Sequence, residues 1–245
     1  MRSTDYFDKS VKRHPERTAL IAGSTRYSYA ELQALSHRLA GAMLAAGLRH
    51  QEPAAILSPN DGAVLVSLLG LWRAGAVWIP VNTRNAIDAN IQYLNYVRPV
   101  WLFYHSSLSA DAAQVRAAVP SIRHLICLDQ PGSDHPSLDA FMETVDGGGI
   151  SDWGDASGDP DALVAIIATG GTTGPAKGVR ILNRSWGTML ETIVNVMPSD
   201  LPPVCLATAP LTHAAGPFAT AALAMGATIV VLPRFEAESV MEAIE

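Results

Sequence analysis

Lysine is nearly missing from this chain. Of its 17 basic residues only Lys9, Lys12 and Lys177 are lysines, and the rest are arginine. Lys177 thus stands alone after the first dozen residues, inside a glycine-rich stretch and not in a solvated charge run. Cysteine is equally scarce. Cys127 and Cys205 each fall in an apolar strand-like run, which reads as two core thiols in a reducing compartment and not as a disulfide framework or a cysteine metal site. No apolar stretch approaches the roughly twenty residues of a membrane-spanning helix. The polar segment Met1 to His14 has no signal-peptide core, so a soluble cytoplasmic protein is expected. A positive balance is missing too: net charge is −6 and the pI about 5.6, which argues against nucleic acid or an anionic membrane as the main partner. An anionic ligand would have to be held by local donors. His14, His37, His50, His105, His124 and His135 show no metal-ligand spacing, so no metal site is expected from them. No G-x-S-x-G nucleophile motif occurs.

What is present is ample core material, 49% hydrophobic residues in 245, enough for one large α/β domain or two smaller ones. Leu32, Leu35, Leu39 and Met43 recur at helical spacing in Ala30 to Ala46, ended by Gly47. Ala54 to Leu57 reads as a buried strand, S-P-N-D-G as a capping turn, and Ala63 to Arg73 as a helix apolar nearly all round. Further helices are expected over Ala86 to Val97, Ser109 to Val119, Leu138 to Val145, Phe218 to Met225, and from an N-cap at Ser185 to Met197. Strands are expected near Arg26 to Tyr29, within Ala74 to Asn82, and at Val100 to Tyr104, His124 to Leu128, Leu163 to Ala168, Val204 to Ala209 and Thr228 to Leu232. Strands alternating with helices indicate parallel-rich sheets flanked by helices. Trp72, Trp78, Trp101, Tyr93 and Tyr96 are assigned to the core. Gln130 to Asp161, rich in Gly, Pro, Ser and Asp, reads as a surface excursion.

The stretch around which the chain is organised is Leu163 to Val179. A short apolar strand is followed, from Thr169 to Gly178, by four glycines, three threonines and one lysine. Glycines allow close backbone approach, successive N–H groups can form an anion-binding concavity, and Lys177 adds a mobile positive charge. These are the parts needed to hold a polyphosphate. The P-loop pattern G-x-x-x-x-G-K-[ST] does not fit: counted from Gly171, Ala176 stands where glycine is required, and Gly178 stands where the Mg²⁺-binding hydroxyl belongs. A P-loop phosphotransferase is therefore nearly excluded.

Instead the loop resembles the phosphate loop of the acyl-adenylate-forming superfamily, [ST]-[SG]-G-[ST]-T-G-x-[PA]-K-G. Thr169, Gly170, Gly171, Thr172, Thr173, Gly174, Lys177 and Gly178 fit, with Ala176 where proline is common. Tyr27 to Leu32 with Arg38 to Ala40, Ala54 to Asn60, Arg73 to Asn82, Ala209 to Gly216 and Gly226 to Phe235 are similar to further patterns of that family, in the family's order. Arg73 and Val81 replace its commoner lysine and leucine.

The resemblance implies the front half of the large N-terminal domain of an adenylate-forming enzyme. One α/β subdomain would span residues 1–178 and end in the phosphate loop. The start of a second would span 179–245, with the C-terminal domain absent. It implies an ATP-dependent acid–thiol ligase, the acyl- or aryl-CoA ligase branch, active in fatty acid metabolism. Such an enzyme activates a carboxylic acid as acyl-AMP and transfers it to coenzyme A, with Mg²⁺ screening the triphosphate. Thr169, Gly170, Gly171, Thr172, Thr173, Gly174 and Lys177 would bind the ATP phosphates, Lys177 and Thr172 acting catalytically. His213 and Gly216 would line the substrate pocket. The Phe-Asp pair of the amino-acid-activating branch is absent. So are the later Tyr-Gly-x-Thr-Glu and Gly-Asp motifs and a late lysine. These gaps, with a helix begun at Phe235 to Glu245, lead to the expectation of an N-terminal portion inactive alone. The alternative is a non-catalytic nucleotide-binding or interaction module derived from that family.

Overall fold

A computed structural model describes residues 1–130, 135–144, 158–169, 176–197, 202–213 and 215–244. The chain opens with α1 (Ser3–Arg13), then a hairpin of β1 (Thr18–Ala22) and β2 (Thr25–Ser28) leads into α2 (Tyr29–Ala45). A capping box starts α2: the Glu31 N–H donates to Ser28 Oγ, while the Ser28 N–H donates to Glu31 Oε2. Gly47, at φ +88°, follows its end in the left-handed region. The next elements alternate: β3 (Pro53–Leu57), α3 (Gly62–Arg73), β4 (Val77–Pro80), α4 (Ile87–Val97), β5 (Trp101–Tyr104), α5 (Ser109–Ala118), β6 (His124–Cys127) and the short α6 (Leu138–Met142). Asp61 caps α3, accepting the Ala63 N–H at 2.8 Å. Arg98, in the left-handed conformation, closes α4. Then come β7 (Leu163–Ala168), β8 (Gly178–Leu182), α7 (Asn183–Val196), β9 (Val204–Ala207), α8 (Ala215–Ala224), β10 (Thr228–Val231) and α9 (Ala237–Ile244).

The strands form two sheets. One has the order β6-β5-β3-β4-β7-β8, parallel except for the β7–β8 hairpin. The other has the order β2-β1-β10-β9, parallel except for β1–β2. Helices cover both faces of the larger sheet, and its side chains alternate accordingly. Ala54, Ile56, Trp78, Trp101 and Phe103 point into the main core, shared with α2, α3 and α8. Ala55, Leu57, Ile79, Leu102 and Tyr104 point into a second core under α4 and α5. Trp72, Trp78 and Trp186 meet edge to face in the main core, with ring centroids 4.9–6.4 Å apart.

The structure corrects several readings. β8 was not expected: its five residues include Arg180 and begin at Gly178, too short and mixed to show a period. The chain passes from it straight into α7, so the helix begins at Asn183 and Ser185 lies within its first turn and not at its cap. Asn183 is held there by the Ser3 hydroxyl, which donates to its Oδ1, and by its own Nδ2 donating to the carbonyls of Met1 and Asp159. α8 starts at Ala215, three residues before Phe218, with Pro217 tolerated in the first turn. Tyr96 is 66% exposed, because α4 turns Tyr93, Leu94 and Val97 inward and leaves Tyr96 on the outer side. Residues 178 and 179 lie in β8, and β1 and β2 share a sheet with β9 and β10. Of the surface excursion expected over Gln130 to Asp161, residues 131–134 and 145–157 lie outside the described residues. Cys127 is buried and Cys205 half-buried, both as free thiols. Among the described residues no helix is long and apolar enough to cross a membrane.

Candidate active site

The carboxyl ends of β4 and β7 open into a cleft of about 320 Å³, the place where parallel sheets present ligands. Ile167, Ala168 and Thr169 form one wall with Ala176, and Thr212 and His213 form a second. Asn82, Asn85, Asn90 and Tyr93, from the β4–α4 connection and α4, form a third.

Thr169 and Lys177 face each other where the hairpin closes. The Thr169 N–H donates to the Lys177 carbonyl at 2.8 Å, and the Lys177 N–H donates to Thr169 Oγ1 at 3.2 Å. Ahead of them Ala168 pairs with Gly178. Gly178 is required by space: a Cβ there would lie 2.5 Å from Ile166 Cγ2. Gly170, Gly171, Thr172, Thr173 and Gly174 lie outside the described residues, so the structure gives the two posts of the loop and not its arc. Lys177 is exposed, and among the described residues it forms no ion pair.

His213 is exposed at the cleft, in a turn closed by its N–H donating to the Pro210 carbonyl at 2.9 Å. Gly216 sits lower, buried in the first turn of α8. A Cβ there would come within 2.4 Å of the Leu211 carbonyl oxygen and 3.1 Å of Trp78 Cη2. It lets α8 approach the His213 turn and is not itself among the residues at the cleft surface. Thr169, Lys177 and His213 are thereby gathered at one end of the sheet, and Gly216 supports them from below.

Sequence reasoning missed two supports. Asn60 spans the His213 turn from beneath, its Oδ1 accepting the Leu211 N–H and its Nδ2 donating to the Ala209 carbonyl, both at 2.8 Å. Asn90, buried, donates to the Asn82 carbonyl at 3.0 Å and accepts from Asn85 Nδ2 at 3.3 Å, ordering the third wall. The density of asparagine in Asn82 to Asn95 was the available signal. Tyr93, buried below this wall, has its phenol pushed well above the ordinary value, first by burial and then by Tyr96. It enters the site as a neutral hydrogen-bond donor.

A sequence model of AMP-binding enzymes matches residues 7–245. The chain belongs to that family. An indoleacetate–CoA ligase from Aromatoleum aromaticum is 30% identical to it over 249 residues, which cover 100% of this chain and 48% of that enzyme. A medium/long-chain-fatty-acid–CoA/3-oxocholest-4-en-26-oate–CoA ligase from Mycobacterium tuberculosis is 26% identical over 262 residues, 98% of this chain and 47% of the relative. In fold, the chain superposes with a TM-score of 0.86 on the inhibitor-bound N-terminal domain of FACL13 from M. tuberculosis. That match has 23% identity and covers 99% of this chain and 60% of the other. The chain thus spans about half the length of the curated relatives it matches. The AMP-binding fold accounts for the expected architecture of parallel-rich sheets flanked by helices.

Proposed function

We propose that this chain supplies the triphosphate-binding half of an ATP-dependent acid–thiol ligase. The reaction activates a carboxylic acid, fatty or aryl, as acyl-AMP and then passes the acyl group to coenzyme A. In the first step a carboxylate oxygen bonds to the α-phosphorus and the bond to the β-phosphate oxygen breaks, releasing pyrophosphate. In the second, the coenzyme A sulfur bonds to the acyl carbon and AMP leaves.

The observation that carries this reading is the Thr169–Lys177 closure beside a cleft that also contains His213. Fixed donors stabilise charge that develops on the phosphates without having to reorganise. The Thr169 hydroxyl oxygen accepts from the Lys177 amide, and its O–H, which has no acceptor among the described residues, would donate to a phosphate. The Lys177 ammonium, with no carboxylate partner among the described residues, is free to reach the β- and γ-phosphates. Gly170, Gly171, Thr172, Thr173 and Gly174 would supply the remaining contacts to the ATP phosphates, with Thr172 acting alongside Lys177. His213, on the facing wall, borders the acyl group, and Gly216 sets how near α8 comes. Among the described residues no three His, Cys, Asp or Glu side chains converge as a metal cage, so Mg²⁺ would arrive on the nucleotide's own oxygens.

Calorimetric titration with ATP tests the reading. The chain should bind ATP, and Lys177→Ala should weaken binding by about tenfold or more, the effect of losing one charge-assisted contact. Equal affinity in the variant overturns it. ATP binding without pyrophosphate exchange across a panel of acids would favour a nucleotide-binding module over a ligase that works alone.

A further inference from the structure

The strand that carries the loop, β7, meets β4 at one registered pair, Trp78 opposite Ala165. Around that pair, three side chains bond the β7 backbone directly. Gln51 Nε2 donates to the Leu163 carbonyl at 3.1 Å, and the Leu163 N–H donates to Gln51 Oε1 at 2.8 Å. Trp72 Nε1 donates to the Val164 carbonyl at 2.9 Å. The Tyr93 hydroxyl donates to the Ile166 carbonyl at 2.9 Å.

Gln51 does this from φ 65°, a left-handed backbone that a non-glycine residue holds only where its surroundings enforce it. Its own N–H is tied to the Gly75 carbonyl at 2.8 Å. Glycine would adopt this backbone without strain, so the glutamine side chain is what the position gains. Its amide acts on Leu163 as a neighbouring strand would, satisfying donor and acceptor together. Tyr93 repeats the contact further along, three residues before Thr169, and also walls the cleft.

A slip of one residue would carry β7 about 3.3 Å along its axis and turn every side chain to the other face. We propose that Gln51 and Tyr93 are positioning residues that pin the register of β7 and so set the height of the Thr169–Lys177 closure against the cleft. This rests on the reading of Thr169 to Gly178 as a phosphate loop. Gln51 lies outside the cleft, and Tyr93, whose side chain walls it, commits its hydroxyl to the Ile166 carbonyl; the role proposed for both is exerted through the strand.

Amide hydrogen exchange across 163–182, read by mass spectrometry on the whole chain, tests the pin without any ligand. Gln51→Gly removes the clamp and relieves the backbone, so the melting temperature should not fall. Exchange at the Thr169 and Lys177 amides should nevertheless quicken about tenfold, the effect of losing a part-buried hydrogen bond. Tyr93→Phe should do the same. Gln51→Glu, which keeps the acceptor for the Leu163 N–H and loses the donor, should fall between. Ser10→Ala serves as the control, since it removes a comparable bond, from Ser10 Oγ to the Ala224 carbonyl, between α1 and α8. If Gln51→Gly and Tyr93→Phe exchange no faster at Thr169 and Lys177 than Ser10→Ala, the pin is overturned. ATP affinity should drop about tenfold in both variants. Faster exchange with unchanged affinity, in a chain that needs Lys177 for binding, would reduce both residues to structural ones. If ATP binding proves indifferent to Lys177, the phosphate-loop reading fails, and the exchange rates still decide the pin.

Discussion

Asn60 and Leu211, far apart in sequence, are joined by a buried hydrogen bond in which the Leu211 N–H donates to Asn60 Oδ1 at 2.8 Å. With its Nδ2 on the Ala209 carbonyl, one amide satisfies both sides of the turn that presents His213. Asn60→Ala would leave the buried Leu211 N–H and the part-buried Ala209 carbonyl without this partner, at a cost of about 1–3 kcal/mol. Asn60→Asp keeps the acceptor and sets a carboxylate against the Ala209 carbonyl, so it should be no better tolerated. Urea unfolding measures both. Wild-type midpoints in both variants would mean that the turn holds itself.

Arg73 and Asp8 form the chain's most buried ion pair among those described, with the Arg73 side chain 3% exposed and Asp8 17%. Arg73 Nε also donates to Ser36 Oγ at 2.7 Å, and Gln33 Nε2 to Asp8 Oδ1 at 2.7 Å. The cluster ties α1 to α2 and α3. Removing one partner of a buried pair strands the other, so Arg73→Ala should destabilise by about 3–5 kcal/mol. Replacing both partners, Arg73→Met with Asp8→Leu, should recover most of that loss. Chemical denaturation of the two variants gives the comparison, and an equally severe double variant would locate the effect in packing alone.

The architecture was legible wherever local chemistry decided it. The S-P-N-D-G turn with Asp61 before α3 and the apolar repeat of α2 ended by Gly47 each fix an element from its own residues. Residues buried on both faces, such as Trp78 and Ile79 in β4, also announced themselves as a continuous apolar run. What stayed hidden depends on partners distant in sequence. Nothing in Leu20 specifies Ile229 as its neighbour across the sheet, and nothing in Asn183 reveals that Met1 and Ser3 will occupy it. The site shows the same division. Glycines, threonines and the lone Lys177 stand out as a composition, whereas Gln51, Asn60 and Tyr93 act through contacts that only the folded chain makes.

Acid should weaken the fold through two imidazoles. Burial holds the His37 ring below its ordinary value of 6.5, helped by the Arg73 charge and opposed by Asp8. Burial likewise lowers His124, stacked 3.9 Å from Trp101, with Arg123 adding to the effect and Glu52 opposing it. A folded chain that binds these protons less tightly than the unfolded chain loses stability as pH falls from about 6.5 through the lower folded values. Above about 6.5 both rings are neutral in either state, and this contribution is fully present. Urea midpoints should therefore decline between pH 7.5 and 5, and His37→Gln should flatten the slope. An unchanged slope in His37→Gln and in His124→Gln would assign the acid sensitivity to other groups.

Gly178 and Ile166 meet across the hairpin so closely that a single methyl group should part them. Gly178→Ala places a Cβ 2.5 Å from Ile166 Cγ2, with Val97 Cγ1 at 3.5 Å behind it. Backbone strain is not at issue, because Gly178 does not occupy the left-handed region. The expected cost is that of overpacking, about 1–3 kcal/mol. Because the clash bears on the pair next to Thr169 and Lys177, β8 would move off β7 and open the closure. Ile166→Ala removes the colliding methyl, so it should be destabilising alone yet rescue Gly178→Ala. A double-mutant cycle should then give a favourable coupling between the two substitutions, of the size expected for residues in contact. Additive losses would show that the glycine serves the arc of the loop and not the approach of the two strands.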